Sequence, residues 1–445
     1  MSVNSTLPLN DKKQIRAWCM YDWANSVYSL SITTAIFPIY YNAITSKGDG
    51  FINLFGYDFK NTALYSLTLS FSFLIVVFLS PLLSGIADSR GNKKMFMRFF
   101  CYLGSFACMM LALFNDEKNV WIGILGLMLA NVGFAGSLVF YNAFLPEIAT
   151  PDQQDKVRAR GFTLGYIGSV LLLIVNLALI MAFPDDSWPP RISFLMVGVW
   201  WLGFGTYTFN NLKENNATTA PKEGVLLKGY REIAKVFIEL KSQRPLSIFL
   251  LSFFIYNMAV QTVMLVASLF GKAEIKGVDG KPMEDSLLIV TILVIQLVAV
   301  AGAYLFSFLS KQFGNLQALL ISLLIWILIC VLAYFTYYSL QFVMLGMVVG
   351  LVMGGVQSLS RSTYSKMLPH HNDNASYFSF YDVCLNLGTV CGTFLFGWLD
   401  QLTGSMRISI IALSFMFVIG IVVLVILHQM IASQPQKFKD ILARK

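Results

Sequence analysis

Asp22 is the residue of this chain best placed to do chemistry. It stands in Tyr21-Asp22-Trp23-Ala24-Asn25-Ser26-Val27-Tyr28, inside an apolar run long enough to cross a membrane. A charged side chain well inside a bilayer costs at least about 2.5 kcal/mol unless it is paired, hydrated or protonated, so an acid there marks a candidate functional site. Burial disfavours an ionised carboxylate, whereas a neighbouring cation or donor favours it, and a group balanced between the two can bind and release a proton. On one helix through residues 17–43, Asp22, Asn25, Ser26, Ser29 and Thr33 recur at three- and four-residue spacing and share a face that lipid covers poorly. The plainer alternative is an acid that snorkels from the helix start or ties two helices together.

The elements that position this face are membrane spans. The 445 residues are 56% hydrophobic and only 13% charged, with a mean hydropathy of +0.66, against about 25% charged residues in soluble domains. Apolar stretches sufficient to span run at about 17–43, 62–87, 95–114, 120–145, 160–183 and 192–211, then at 246–271, 286–309, 317–338, 340–364, 375–400 and 406–430. The expected architecture is an all-α membrane protein of twelve transmembrane helices: a six-helix bundle over 1–211, a linker over 212–245 with one amphipathic surface helix from Leu226 to Leu240, and a second six-helix bundle with tail over 246–445. The first apolar run carries Asp22 and is too long for the core of a cleaved signal, so the first helix is expected to stay in the mature chain.

Charge distribution sets the topology. Of the 32 Lys and Arg residues, 24 fall at the two ends, in the linker and in the even-to-odd connections, so both termini are expected in the cytoplasm. This topology accounts for the net charge of +8 better than a nucleic-acid partner does. The six cysteines all lie in apolar segments without metal-ligand spacing, which predicts no disulfide, metal or cofactor. Trp18, Trp121, Trp188, Trp200, Trp201 and Trp398 fall near span ends, as an interfacial belt would.

An internal repeat is legible. Tyr141, Leu145 and Pro146 at the end of the fourth span match Tyr364, Leu368 and Pro369 at the end of the tenth, an offset of 223 that also carries Gly91-Asn92 onto Gly314-Asn315 and Gly165 onto Gly388. Tyr21-Asp22-Trp23-Ala24 resembles Tyr256-Asn257-Met258-Ala259 at an offset of 235, which a longer connection after the first span would absorb. Two six-helix halves of parallel orientation, related by a pseudo-two-fold axis, follow from this pattern.

After the second span, Ser84-Gly85-Ile86-Ala87-Asp88-Ser89-Arg90-Gly91-Asn92-Lys93-Lys94 resembles the signature loop of the major facilitator superfamily, Gly-x-x-x-Asp-Arg-x-Gly-Arg-Lys. Asp88 can cap or ion-pair at a helix end, Gly91 permits the tight turn, and Lys93 and Lys94 hold the loop to the cytoplasmic face. The matching second loop carries Lys311 in place of the acid. Four stretches further resemble the branch related to the fungal vacuolar amino-acid effluxer: Tyr21 to Tyr28, Tyr141 to Glu147, Arg160-Gly161-Phe162 through Gly168-Ser169, and Gly354-Gly355-x-Gln357-Ser358-Leu359-Ser360-Arg361-Ser362. Similar proteins often carry an acid in the seventh span, where this chain has Met258.

The resemblance implies the major facilitator fold and a secondary transporter that moves a small solute, an amino acid or related metabolite, by alternating access, with efflux as the candidate direction. It also implies a path lined by the first, fourth, seventh and tenth spans. The candidate substrate-binding or coupling residues are therefore Asp22, Asn25, Tyr28, Asn131, Tyr141, Asn142, Tyr256, Asn257, Gln261, Gln357 and Arg361, with Asp382 and Asn386 on a polar stripe of the eleventh span. Gly350, Gly354, Gln357 and Arg361 share one face, on which the glycines are expected to open space beneath a guanidinium that could grip a carboxylate. A cytoplasmic gate is expected from Asp88, Gly91, Lys93, Lys94, Glu147 and Arg160. Without an acid at Met258, Asp22 and Asp382 are the chief candidates for proton coupling.

The expected partners are the solute, protons and membrane lipids, without nucleic acid, for a monomer in the cell inner membrane. A non-transporting sensor or a lipid-moving protein on the same fold is the alternative. Tyr21-Asp22 and Tyr381-Asp382 superficially suggest an intramembrane aspartyl protease, but the Gly-x-Gly-Asp partner motif is absent, as are HExxH, GxSxG and P-loop motifs, so no enzyme is expected.

Overall fold

The computed structural model describes residues 9–89, 93–184, 186–213, 225–277, 279–368 and 374–432. The first span is an unbroken helical stretch of three parts: Lys12–Val27 (α1), a π-helical segment Tyr28–Ile36, and Phe37–Thr45 (α2). Asp11 opens it by accepting a 3.1 Å hydrogen bond from the Lys13 amide. The wide turns end where Pro38, which has no amide hydrogen to donate, enters the helix, and the Thr34 hydroxyl reaches five residues back to the Ser29 carbonyl at 2.9 Å.

Among the described residues, eleven further helices are long and apolar enough to cross a membrane. They lie in α3 (Asn61–Ser89), α4 (Lys93–Met110), α5 (Val120–Ile148), α6 (Pro151–Ala182), α7 (Trp188–Asn211), α9 (Arg244–Glu274), α10 (Asp285–Phe313), α11 (Asn315–Tyr334), α12 (Ser339–Met367), α13 (Asn374–Thr403) and α14 (Met406–Ala432). With the first stretch they make the twelve expected spans. The linker carries α8, Val225–Leu240. One departure from an all-α chain is an antiparallel hairpin of Phe51–Leu54 (β1) and Tyr57–Lys60 (β2), which fills the longer connection anticipated after the first span.

The chain forms two compact units, Met1–Thr45 with Phe71–Glu232, and Ser46–Ser70 with Ile233–Lys445. In the first, α1 packs on α6 and α7, and α4 on α5 and α7; in the second, α9 packs on α13 and α14, and α11 on α12 and α14. Five corresponding pairs of spans, α1 and α9, α4 and α11, α5 and α12, α6 and α13, and α7 and α14, thus choose the same neighbours.

Individual contacts repeat as well. A Cβ placed on Gly165 would lie 2.4 Å from Ser26 Oγ and 2.9 Å from the Asp22 carbonyl oxygen; one on Gly388 would lie 3.1 Å from Asn257 Nδ2 and 3.3 Å from the Phe254 carbonyl oxygen. In both halves a glycine of the fifth repeat helix lets the first approach closely, the packing device of membrane helices. Tyr256 shares a 2.6 Å hydrogen bond with Ser360 in the second unit, whereas the hydroxyl of its counterpart Tyr21 is buried without a hydrogen-bond partner among the described residues.

Gly350 and Gly354 play another part than expected. Added Cβ atoms would lie 2.5 Å from the Ile295 carbonyl oxygen and 2.1 Å from that of Ala299, so the backbone of α10 occupies the space predicted to open beneath Arg361. The tryptophans divide: Trp121, Trp188 and Trp398 are exposed as an interfacial belt would be, whereas Trp18 and Trp201 are wholly buried.

Candidate functional site

The first unit assembles its chemistry where α1, α5 and α6 meet. Tyr141 on α5 donates a 2.7 Å hydrogen bond from its hydroxyl to Asp22 Oδ2 on α1. Trp18, one turn before Asp22, fixes the tyrosine twice: the rings stack with centroids 4.1 Å apart and planes 11° apart, and Trp18 Nε1 donates to the Tyr141 carbonyl at 2.9 Å. Gly161 on α6 passes so near that a Cβ there would lie 2.5 Å from Asp22 Oδ2 and 3.0 Å from the Tyr141 hydroxyl oxygen. Among the described residues Asp22 forms no ion pair within 4.0 Å. A half-buried carboxylate with one neutral donor and no closed ion pair can exchange a proton without first breaking a salt bridge.

The rest of the predicted face divides at the π-helical segment. Asn25 is buried, accepting from the Ser26 hydroxyl at 3.3 Å while its Nδ2 finds no partner among the described residues. Tyr28 is buried with its ring 5.2 Å from Phe134 and 5.8 Å from Trp201. Beyond Val27 the backbone takes the wider turns of the π-helical segment, in which Ser29 is exposed and Thr33 is buried. On α5, Asn131 is consumed by a 2.8 Å hydrogen bond to Ser72 of α3, and Asn142 is exposed.

In the second unit Tyr256 is held by Ser360, as above. Asn257 Nδ2 donates to the Leu385 carbonyl at 3.1 Å, and Gln261 Nε2 donates to Asn257 Oδ1 at 3.3 Å, so the amide that takes the place of Asp22 in the repeat ties α9 to α13. Gln357 is exposed, with its amide 3.4 Å from Met264 Sδ. Arg361 lies over the Phe378 ring, 5.2 Å from its centroid, and reaches Asp382 Oδ1 at 3.8 Å. Both side chains are about half exposed, at 47% and 54%, so the pair is loose and its guanidinium remains accessible to another carboxylate. Asn386 Nδ2 donates to the Asp382 carbonyl at 2.9 Å, whereas Thr389 and Thr393, deeper on the expected stripe, bond back to their own helix.

Of the expected gate, Lys93 and Glu147 come together as an ion pair, Lys93 also reaching the Ala143 carbonyl at 3.3 Å, and Lys94 donates to the Leu212 carbonyl at 3.0 Å. Arg160 is exposed and joins neither contact. The Asp88 side chain and Gly91 lie outside the described residues.

Two buried charge centres escaped the sequence reading, both in the second unit. Asp400 at the end of α13 is fully buried between Lys60 Nζ, 2.8 Å away, and the Thr62 hydroxyl, while Gln401 accepts from the Lys60 amide at 2.8 Å. Arg407 at the start of α14 is 8% exposed, pairs with Glu274 at 2.9 Å, and donates to the carbonyls of Tyr334 and Thr336 at 2.8 and 2.7 Å. Their partners are separated by 340 and 133 residues, so no local spacing announces them; the available signal was an ionisable residue at a span end.

Twelve spans in two similarly packed halves, with polar and ionisable side chains held inside, define a transporter of the major facilitator type. The structure superimposes on that of the nucleoside transporter NupG with a TM-score of 0.67, covering 94% of this chain and 99% of that one at 14% identity, a likeness of fold. Residues 10–436 match the family model described as vacuole effluxer Atg22 like, and the chain belongs to that family. It is 31% identical over 420 residues to the uncharacterized MFS-type transporter YxiO of Bacillus subtilis, covering 93% of this chain and 94% of YxiO. It is 22% identical over 354 residues to Autophagy-related protein 22-1 of Penicillium rubens, covering 63% of this chain and 58% of that protein, so it spans well under two thirds of the fungal relative. The chain is thus a multi-pass membrane protein of a transporter family whose substrates are small solutes.

Proposed function

We propose that this protein is a secondary transporter that moves an amino acid or related small metabolite across the membrane by alternating access, in the direction of efflux. The observation that carries the proposal is the Asp22–Tyr141 hydrogen bond, which holds, inside a membrane span, an acid that forms no ion pair among the described residues. In this reading Asp22 is the proton-coupling group, and Arg361, whose Asp382 partner is loose, receives the solute's carboxylate. Gln357 and Asn386 stand with Arg361 in the second unit's binding set, and the Lys93–Glu147 pair acts at the gate.

The bundles 1–211 and 246–445, joined by 212–245, act as a monomer in the inner membrane. The excess of Lys and Arg at the ends and in the linker supports cytoplasmic termini. Transport rather than catalysis accounts for these residues, since proton exchange and carboxylate binding are the chemistries that the arrangement supports.

The test is reconstitution into proteoliposomes with a mixture of labelled amino acids. The expected result is saturable flux that an imposed pH gradient accelerates. Absence of amino-acid flux with movement of a labelled phospholipid would favour a lipid-moving protein instead.

A further inference from the structure

The linker helix leaves an opening where it meets the second unit. α8, α9, α13 and α14 line an open groove of about 690 Å³. Phe237 of α8, Leu251 and Phe254 of α9, and Phe380 of α13 wall it, so most of its lining is apolar. Two cations contribute to the lining, Lys241 in the turn after α8 and Arg244 at the first residue of α9.

Both cations are exposed, and among the described residues neither pairs with an acid within 4.0 Å; the Lys241 ammonium lies 6.0 Å from the centre of the Phe237 ring. The acid closest along the chain, Glu239, is already engaged by the Tyr377 hydroxyl at 2.9 Å and by Lys235 at 3.8 Å. Arg244 also opens a 31-residue helix, whose amino-terminal end adds positive potential at the same place. Two uncompensated cations beside an apolar trough, at the residue where a membrane span begins, match the two parts of a phospholipid at the depth where headgroup gives way to chain. A soluble anion would use the cations and leave the aromatic walls uncovered.

We propose that this groove binds one anionic phospholipid of the leaflet facing the linker, its phosphate between Lys241 and Arg244 and one acyl chain along Phe237, Leu251, Phe254 and Phe380. The site is distinct from the Asp22 and Arg361 centres and does not depend on the transport reading.

Native mass spectrometry of the purified full-length protein, titrated with phosphatidylglycerol or phosphatidylcholine, tests it. The expected result is retention of one phosphatidylglycerol about tenfold more tightly than phosphatidylcholine, lost in the Lys241→Gln, Arg244→Gln double variant and kept in Lys235→Gln. An unchanged melting temperature confirms that the double variant is folded. Equal retention of the two lipids, undiminished phosphatidylglycerol binding by the double variant, or full displacement of the lipid by inorganic phosphate would each overturn the assignment.

Discussion

The Tyr141 hydroxyl donates to the Asp22 carboxylate across the contact of α5 and α1, at 2.7 Å, while the ring that carries it is clamped flat against Trp18. Tyrosine and acid therefore act as one unit. Tyr141→Phe, which keeps the stacked ring and deletes only the donor, is expected to cost about 1 kcal/mol of stability and to lower transport by about tenfold. Combined with Asp22→Asn it is expected to be no worse than Asp22→Asn alone, as for residues that share one interaction. Proteoliposome flux of the two single variants and the double variant gives the coupling directly.

The repeated glycine contacts differ in tightness, and this orders two substitutions. Gly165→Ala drives a methyl to 2.4 Å from Ser26 Oγ and 2.9 Å from backbone, whereas Gly388→Ala meets nothing closer than 3.1 Å. Gly165→Ala is expected to lose about 1–3 kcal/mol and Gly388→Ala distinctly less, read as melting temperatures in detergent.

Much of this architecture was legible because membrane spans announce themselves by length and hydropathy, and because the two halves preserve matching residues. Gly165 and Gly388, paired from sequence by an offset of 223, prove to make the same helix contact. Asp22 and Tyr141 were singled out separately; that they touch depends on packing between elements 119 residues apart, which no periodicity encodes. Gly350 and Gly354 suggest space in sequence because small residues look alike whether they border a cavity or another backbone. Asp400 and Arg407 give no comparable signal, because an ionisable residue at a span end normally meets water, and their burial comes from Lys60 and Glu274 brought in from remote segments.

Arg407 is the firmest of these anchors. It holds Glu274 and the carboxyl-terminal carbonyls of α11 through several nitrogens at once, with the guanidinium 4.1 Å from the Tyr337 ring centre. Arg407→Ala leaves Glu274 and those carbonyls without their partner and is expected to destabilise by about 3–5 kcal/mol. Arg407→Lys is expected to recover little, because one ammonium cannot replace a planar fork of donors. Thermal unfolding of the purified variants checks both.

Lys93 and Glu147 are only 15% and 25% exposed, yet the pair lies at the end of its helices, so Glu147→Gln is expected to change stability by no more than about 1 kcal/mol. If the pair acts at the gate, flux falls in Glu147→Gln and in Lys93→Gln, and the exchanged variant Lys93→Glu, Glu147→Lys recovers most of it. Loss of flux in the exchanged variant equal to that in the single ones would remove the pair from the transport cycle.

If Asp22 carries the proton, solute-driven proton movement in proteoliposomes containing a trapped pH indicator, compared between wild type and Asp22→Asn, reports it most directly. The predicted result is proton flux that follows the amino-acid gradient in wild type and falls at least about tenfold in Asp22→Asn, with the variant's melting temperature preserved. Wild-type proton flux and unchanged pH dependence in Asp22→Asn would contradict it.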